Sequence, residues 1–292
     1  MKKFLCILIF LVILTGNTEA LSKRVIKFGQ LTKLNTTEEQ FSQTWKETFA
    51  PNNETLEVVI KFYDNLTSMQ MALNAGEINH MILPEPTAQY IMNQTKEYEA
   101  FLTLRSQGMG LAFGFSKDNE GLRDKFNEAL KQLKSSWILS GIESMYISSA
   151  GINDPEPVKF AKFDNADKIR VAVTGDLPPI DYIAPDGTPA GFNTAVLAET
   201  AKFLKINVEL VNIDSGARTA ALSSGRVDVV FWYEIEKGKE FQSDIPGGVI
   251  VSEPYYEWEK FIHLKKASKA YKAETKTWNL NWEFLDMFFG DK

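Results

Sequence analysis

The feature that most constrains the fold is an alternation of apolar runs and helical segments that starts at Ile169. Three short β-type runs stand out, Ile169–Val173, Val208–Val211 and Val227–Phe231. Segments with helical spacing separate these runs, at about 194–204 and 217–224. Strands that alternate with helices are typical of βαβ units and a parallel sheet. We therefore predict an α/β fold for this part of the chain.

Polar and aromatic residues follow these strands, where an open parallel sheet binds its ligands. Thr174 follows the first strand, and Trp232 and Tyr233 follow the third. Arg218 lies near the start of the short second helix, and its guanidinium could bind a carboxylate through two parallel hydrogen bonds or pair with Asp214. Trp232 and Tyr233 are interpreted as a wall of the crevice, although aromatic residues at a strand end are often part of the core. The pattern predicts a small-molecule site at this edge.

Four motifs within this region also resemble a known family. They read VTGDLPPIDY (173–182), DGTPAGFN (186–193), ALSSGRVD (221–228) and SEPYY (252–256). In this order and spacing they resemble the extracellular solute-binding proteins of family 3, the amino-acid-type receptors of ABC importers. The resemblance implies a two-lobed α/β fold of the type II periplasmic-binding-protein class. Each lobe would be a mostly parallel sheet flanked by helices, with the ligand between the lobes.

The preceding half of the chain also reads as α/β and is similar to the other end of that family. MALNAGEIN (71–79) resembles its A-L-x-x-G-x-x-D pattern, and residues 110–133 resemble its closing strand and helix. We therefore predict reversed lobe order: 22–152 as the family's second lobe, 153–167 as linker and 168–265 as its first lobe. Two degraded tandem copies are the alternative, since 72–79 and 221–228 are similar to each other.

The resemblance extends to candidate binding residues, and it also marks departures. Asp176 and Asp181 flank Pro178–Pro179 in a loop that contacts ligands in the family, although Asp and Pro favour turns by themselves. Tyr182 could stack on the ligand or fill the loop. Three candidates remain. Asn193 stands at the place of a family Asp and is also a good helix cap. Glu85 lies beside the place of the family's ammonium-binding acid, and Lys237 lies near the place of its carboxylate-binding Arg.

The missing Arg is the most serious departure from the family pattern. Residues 237–240 read KGKE, and a Lys there could act only as a point charge without the bidentate fork of Arg. This substitution puts an ordinary α-amino-acid ligand in doubt.

The N-terminus predicts export. Met1–Ala20 has a basic start, a short apolar core and small residues suited to cleavage after Ala20, as in a secretory signal peptide. Asn17 stands where a lipoprotein box needs cysteine, and the chain's one cysteine, Cys6, lies inside the apolar core. We predict a periplasmic or extracellular protein that is not a lipoprotein.

Composition excludes several classes of function. The net charge of −6 gives no support to nucleic-acid binding. Two isolated histidines, His80 and His263, make a metal site unfavourable, and neither a phosphate-binding loop nor a Gly-x-Ser-x-Gly elbow is present. We expect no cofactor and no catalytic residue. The aromatic segment 266–292 is interpreted as a helical tail packed on the protein body.

These observations favour one function and leave two alternatives. The first is a monomeric exported protein that captures a small polar, amino-acid-like or carboxylate-bearing ligand for an ABC permease. The second is an enzyme similar to cyclohexadienyl dehydratases, which would need a positioned acid or base with a shifted pKa; the sequence offers carboxylates for this role. The third is a degenerate sensor or scaffold without transport.

Overall fold

The computed structural model describes residues 24–49, 55–152, 157–184, 186–236 and 244–268. The predicted signal peptide and the aromatic tail from residue 269 lie outside these ranges, as do Lys237 and part of the predicted linker.

The described residues form the following elements. The strands are β1 Arg24–Leu31, β2 Leu56–Tyr63, β3 His80–Pro84, β4 Tyr98–Ser116, β5 Lys168–Val173, β6 Asp176–Leu177, β7 Asp181–Ile183, β8 Pro189–Ala190, β9 Asn207–Asn212, β10 Val229–Glu236, β11 Val249–Val251 and β12 Tyr256–Lys266. The helices are α1 Glu38–Phe49, α2 Leu66–Ala75, α3 Glu85–Gln94, α4 Glu120–Ser135, α5 Ile138–Glu143, α6 Phe192–Leu204 and α7 Arg218–Ser223.

Local sequence signals explain where several helices begin and end. Asn65 caps α2 by accepting a hydrogen bond from the Ser68 amide at 2.8 Å, and Gly76 ends it with φ of 81°. Before α1, the Gln40 amide donates to the Thr37 hydroxyl at 3.2 Å, and the Thr37 amide donates to the Gln40 side chain at 3.1 Å. This reciprocal pair is a capping box, which satisfies two amides that the helix cannot.

Within the described ranges, most strands join one sheet in the order β2-β1-β3-β12-β4-β10-β5-β9, with β11 beside β4. β1 pairs in parallel with β2 and β3, and β5 pairs in parallel with β9 and β10. The long antiparallel strands β4 and β12 connect these two groups. The structure is therefore a two-lobed α/β fold. We name the group of β1–β3 with α1–α3 the β1 lobe, and the group of β5, β9 and β10 with α4–α7 the β5 lobe.

The core residues show which segments pack together. Phe126 and Leu130 of α4 share one apolar cluster with Val171 of β5 and Phe192 of α6. A separate cluster lies under α2 and α3 and includes Met81. Residues 110–135 therefore pack in the β5 lobe, because β4 is long enough to leave the β1 lobe and enter the second group of strands. The division between the lobes runs through β4 and β12, which differs from the boundary predicted at 153–167.

Candidate functional site

The candidate site is a small cavity where the carboxyl ends of the parallel strands of both lobes meet. Its volume is about 20 Å³, room for about one water molecule, whereas ligand pockets hold roughly 300–1,000 Å³. The two lobes are thus closed on each other. The β1 lobe and β12 contribute Gln30, Leu31, Thr32, Lys33, Ile82, Pro84 and Phe261, and the β5 lobe contributes Arg218, Trp232, Glu234 and Asp244.

Arg218 is the most deeply buried charged residue of the cavity wall. It begins α7, only 2% of its surface is exposed, and its guanidinium carbon lies 4.1 Å from the centre of the Trp232 ring. Its Nη1 donates to the Trp232 carbonyl oxygen at 3.4 Å. The indole face attracts the cation and fixes its position beside the cavity. Arg218 therefore lines the cavity, and its contact with a ligand stays a prediction.

Trp232 and Tyr233 were predicted together but lie in different surroundings. Trp232 lines the cavity and donates from Nε1 to Asp181 Oδ2 at 3.3 Å. The Tyr233 ring is fully buried in an apolar cluster against Gly114, and its hydroxyl forms a 3.1 Å hydrogen bond with Thr219. Tyr233 is therefore a core residue and not the cleft-wall residue that the sequence predicts. Successive residues of a strand point to opposite faces of the sheet, and the register of β10 against β4 also shifts between Val230 and Tyr233.

Asp181 is fully buried and organises the loop after β5. It accepts hydrogen bonds from the Thr174 amide at 2.9 Å, the Thr174 hydroxyl at 2.8 Å and the Gly175 amide at 3.0 Å, besides that from Trp232. Burial raises the pKa of the Asp181 carboxyl above its ordinary value, although the donated hydrogen bonds oppose this change. Asp181, which is itself bound by Thr174, thus fixes the position of the Trp232 indole through its Nε1. The side chain of Asp176 lies outside the described part of the structure.

Three other predicted residues lie away from the cavity wall. Asn193 is fully buried in α6, with its Oδ1 3.0 Å from the Tyr255 hydroxyl oxygen, so it is a core residue rather than a cap. Glu85 begins α3 and forms an ion pair with Lys260 at 3.4 Å. The Tyr182 ring lies 6.2 Å from that of Tyr90 in α3, which places it at a contact between the lobes. The predicted Lys237 is outside the described residues.

Sequence reasoning missed the charged residues that join the lobes across the cavity. Lys33 forms an ion pair with Glu234, and the two side chains are 14% and 13% exposed. Asp244 Oδ1 accepts hydrogen bonds from the Leu34 and Asn35 amides at 2.7 and 2.8 Å. Their positions in the sequence could have indicated this pair, because Lys33 follows the carboxyl end of β1 by two residues and Glu234 lies near the carboxyl end of β10.

The described residues contain no group of three side chains suited to holding a metal ion. In the same part of the chain, no helix has the length and apolar character needed to cross a membrane.

Comparison with known proteins gives one family match. The model of bacterial extracellular solute-binding proteins, family 3, matches residues 169–282. No curated protein matches the chain.

The chain also matches solved structures from several classes of protein at low sequence identity. The ligand-binding component of an ABC-type import system from Staphylococcus aureus is 13% identical, with 86% of this chain and 69% of that chain covered and a TM-score of 0.45. The OxyR2 regulatory domain from Vibrio vulnificus is 12% identical, with 90% of this chain and 95% of that chain covered and a TM-score of 0.43. The alkanesulfonate-binding protein SsuA from Xanthomonas axonopodis pv. citri is 8% identical, with 87% of this chain and 69% of that chain covered and a TM-score of 0.40.

The region matched by the family model includes β5 to β12, and hence Arg218, Trp232, Glu234 and Asp244 of the cavity. Over residues 169–282 this chain resembles the bacterial extracellular solute-binding proteins of family 3.

Proposed function

We propose that this protein is an exported solute-binding protein that captures a small polar ligand between its two lobes and delivers it to an ABC-type permease. The observation that carries the proposal is the cavity itself, which lies where the carboxyl ends of β1, β3 and β10 meet. Open parallel sheets bind ligands at this edge. The match of residues 169–282 to solute-binding proteins supports the same function.

The charges of the cavity support an amino-acid-like or carboxylate-bearing ligand. Lys33 and Arg218 place positive charge on opposite lobes, and Glu234 and Asp244 supply negative charge. A ligand carboxylate would bind the Arg218 guanidinium, which can offer parallel N–H donors. A ligand ammonium group would bind the Glu234 carboxylate, and the indole of Trp232 would enclose the apolar part. Because the closed cavity is so small, the ligand would enter only when the lobes move apart about β4 and β12.

Thermal-shift screening against amino acids, small carboxylates and short peptides tests this function. A ligand that binds only the folded state adds about 2.7 kcal/mol of stability at a hundredfold excess over Kd. We expect a specific ligand whose binding is lost in Arg218→Lys, because Lys cannot offer the bidentate fork. Lys202→Ala is the matched control, since Lys202 is an exposed residue of α6 that pairs with Glu199 away from the cavity. Absence of a shift with every compound would contradict the proposal.

A further inference from the structure

Polar contacts between residues of the two lobes join the lobes across the cavity. Lys33 of the β1 lobe pairs with Glu234 of the β5 lobe across the cavity. Beside this pair, Asp244 accepts the Leu34 and Asn35 amides, and Asn35 Nδ2 donates to the Ile245 carbonyl at 2.8 Å. Lys33, Glu234 and Asp244 all line the cavity between the lobes.

The surroundings make the ion pair unlike a surface salt bridge. Both side chains are largely shielded from water, and the cavity beside them has a volume of only about 20 Å³. The guanidinium of Arg218 lines the same cavity. A charge in such a place is costly unless it is paired, because the closed cleft removes most of its hydration. Loss of one partner therefore favours the open state, in which water can reach the remaining charge.

We propose that Lys33 and Glu234, supported by Asp244, form a latch that holds the cleft closed before any ligand is bound. The inference goes beyond the proposed function, because it concerns the free protein and does not depend on the identity of a ligand. An incoming ligand must break the latch and supply its own charges to Lys33 and Glu234. The latch thereby excludes compounds that cannot replace both halves of the ion pair.

If the latch exists, substitution of Glu234 and substitution of Lys33 should open the cleft to different extents. In Glu234→Gln, Lys33 and Arg218 would be two cations beside one small cavity, without the carboxylate that pairs with Lys33. In Lys33→Gln, Glu234 remains in a cavity that still contains the Arg218 guanidinium. We therefore expect Glu234→Gln to open the cleft more than Lys33→Gln, and Asp244→Ala to open it by removing the acceptor for two amides. Lys33→Arg keeps the charge and should stay closed.

The distance between the lobes can be measured by pulsed electron spin resonance. Spin labels at Thr67→Cys in α2 and Lys202→Cys in α6, both exposed positions, report on the β1 and β5 lobes in a Cys6→Ser background. The protein is refolded from denaturant first, so that no co-purified ligand holds it closed. We expect one narrow distance distribution for the parent protein and an additional longer distance in Glu234→Gln, at a larger fraction than in Lys33→Gln.

A matched control breaks a different ion pair. Lys168 and Glu209 pair at 2.6 Å within the β5 lobe, with side chains 60% and 49% exposed, so Glu209→Gln should leave the distance unchanged. Circular dichroism establishes that each variant is folded. The latch is refuted if the refolded parent already shows the long distance, if both latch variants keep the parent's distribution, or if Glu209→Gln opens the cleft equally. None of these results bears on whether a ligand binds, which the thermal-shift screen decides separately.

Discussion

Both histidines of the chain lie in one aromatic cluster where β12 and β4 pack beside the β1 lobe, and this arrangement predicts a loss of stability at mildly acidic pH. His263 of β12 is fully buried, with its ring 5.3 Å from Trp45 and 5.4 Å from Phe28. His80 of β3 is 8% exposed and lies 4.5 Å from the Phe101 ring. Neither nitrogen of His263 has a hydrogen-bond partner among the described residues. The site therefore favours neutral imidazoles.

The burial sets the direction of the pKa changes. Desolvation lowers the pKa of His263 to about 3, with a further contribution from His80, and lowers the pKa of His80 to about 4, with a further contribution from Lys265. The unfolded chain binds a proton at each histidine near pH 6.5, whereas the folded chain does not. The free energy of unfolding therefore falls as the pH falls below about 6.5, and it continues to fall until the folded-state pKa is reached.

The magnitude follows from the pH interval. Between pH 8 and pH 5 the unfolded state gains about 2 kcal/mol from protonation of each histidine, since pH 5 is about 1.5 units below the unfolded pKa and each unit is about 1.4 kcal/mol. The two histidines together destabilise the protein by about 4 kcal/mol over this interval. In His263→Phe, which keeps an aromatic ring in the cluster, only the contribution of about 2 kcal/mol from His80 should remain.

Urea unfolding followed by tryptophan fluorescence at pH 8 and pH 5 measures this difference. The comparison with His263→Phe removes contributions that both proteins share, including that of Asp181, whose raised pKa acts in the opposite direction. His80→Phe is a parallel test and should remove a similar part of the stability lost between pH 8 and pH 5. If the parent and His263→Phe lost equal stability between the two pH values, the inference that His263 is held neutral by burial would be refuted.

Packing and hydrogen bonding give three further predictions, each checked by the melting temperature. Gly114→Ala should destabilise the protein by about 1–3 kcal/mol, because the new methyl group would lie 2.2 Å from the Tyr233 ring. Gly121→Ala should instead stabilise it by up to about 1 kcal/mol, since Gly121 lies in α4 with open space beside it; a loss of stability would contradict this. Tyr255→Phe should cost about 1–3 kcal/mol, because the Phe231 carbonyl loses a donor at 2.7 Å inside the core. An unchanged melting temperature would show that this buried carbonyl does not depend on the Tyr255 hydroxyl.

The strands and helices were predictable because their signals are local. The runs predicted at 169–173 and 208–211 are strands β5 and β9, whose bounds differ from the prediction by one residue at most at either end. The helix predicted at about 194–204 is α6, which begins two residues earlier and ends at the predicted residue. Each signal depends on residues two to four positions apart, which the chain itself holds close together.

The lobe boundary could not be read in the same way. Pro155 and Pro157 mark a break in the sequence, yet the chain passes between the lobes within the continuous strands β4 and β12. A strand that crosses from one group of partners to another keeps the same local pattern throughout. The pairing partners of each part of β4 therefore had to come from the tertiary structure.

The sequence by itself determined the α/β class and indicated the edge of the sheet at which the cavity lies, with Arg218 and Trp232 among the residues of that edge. Chain direction fixes which end of a parallel strand is the carboxyl end, so this edge follows from the order of elements. Only the tertiary structure decided that Tyr233 is in the core and that Lys33 pairs with Glu234, 201 residues away. Those outcomes depend on strand register and on how closely the lobes approach, and neither is encoded in the spacing of neighbouring residues.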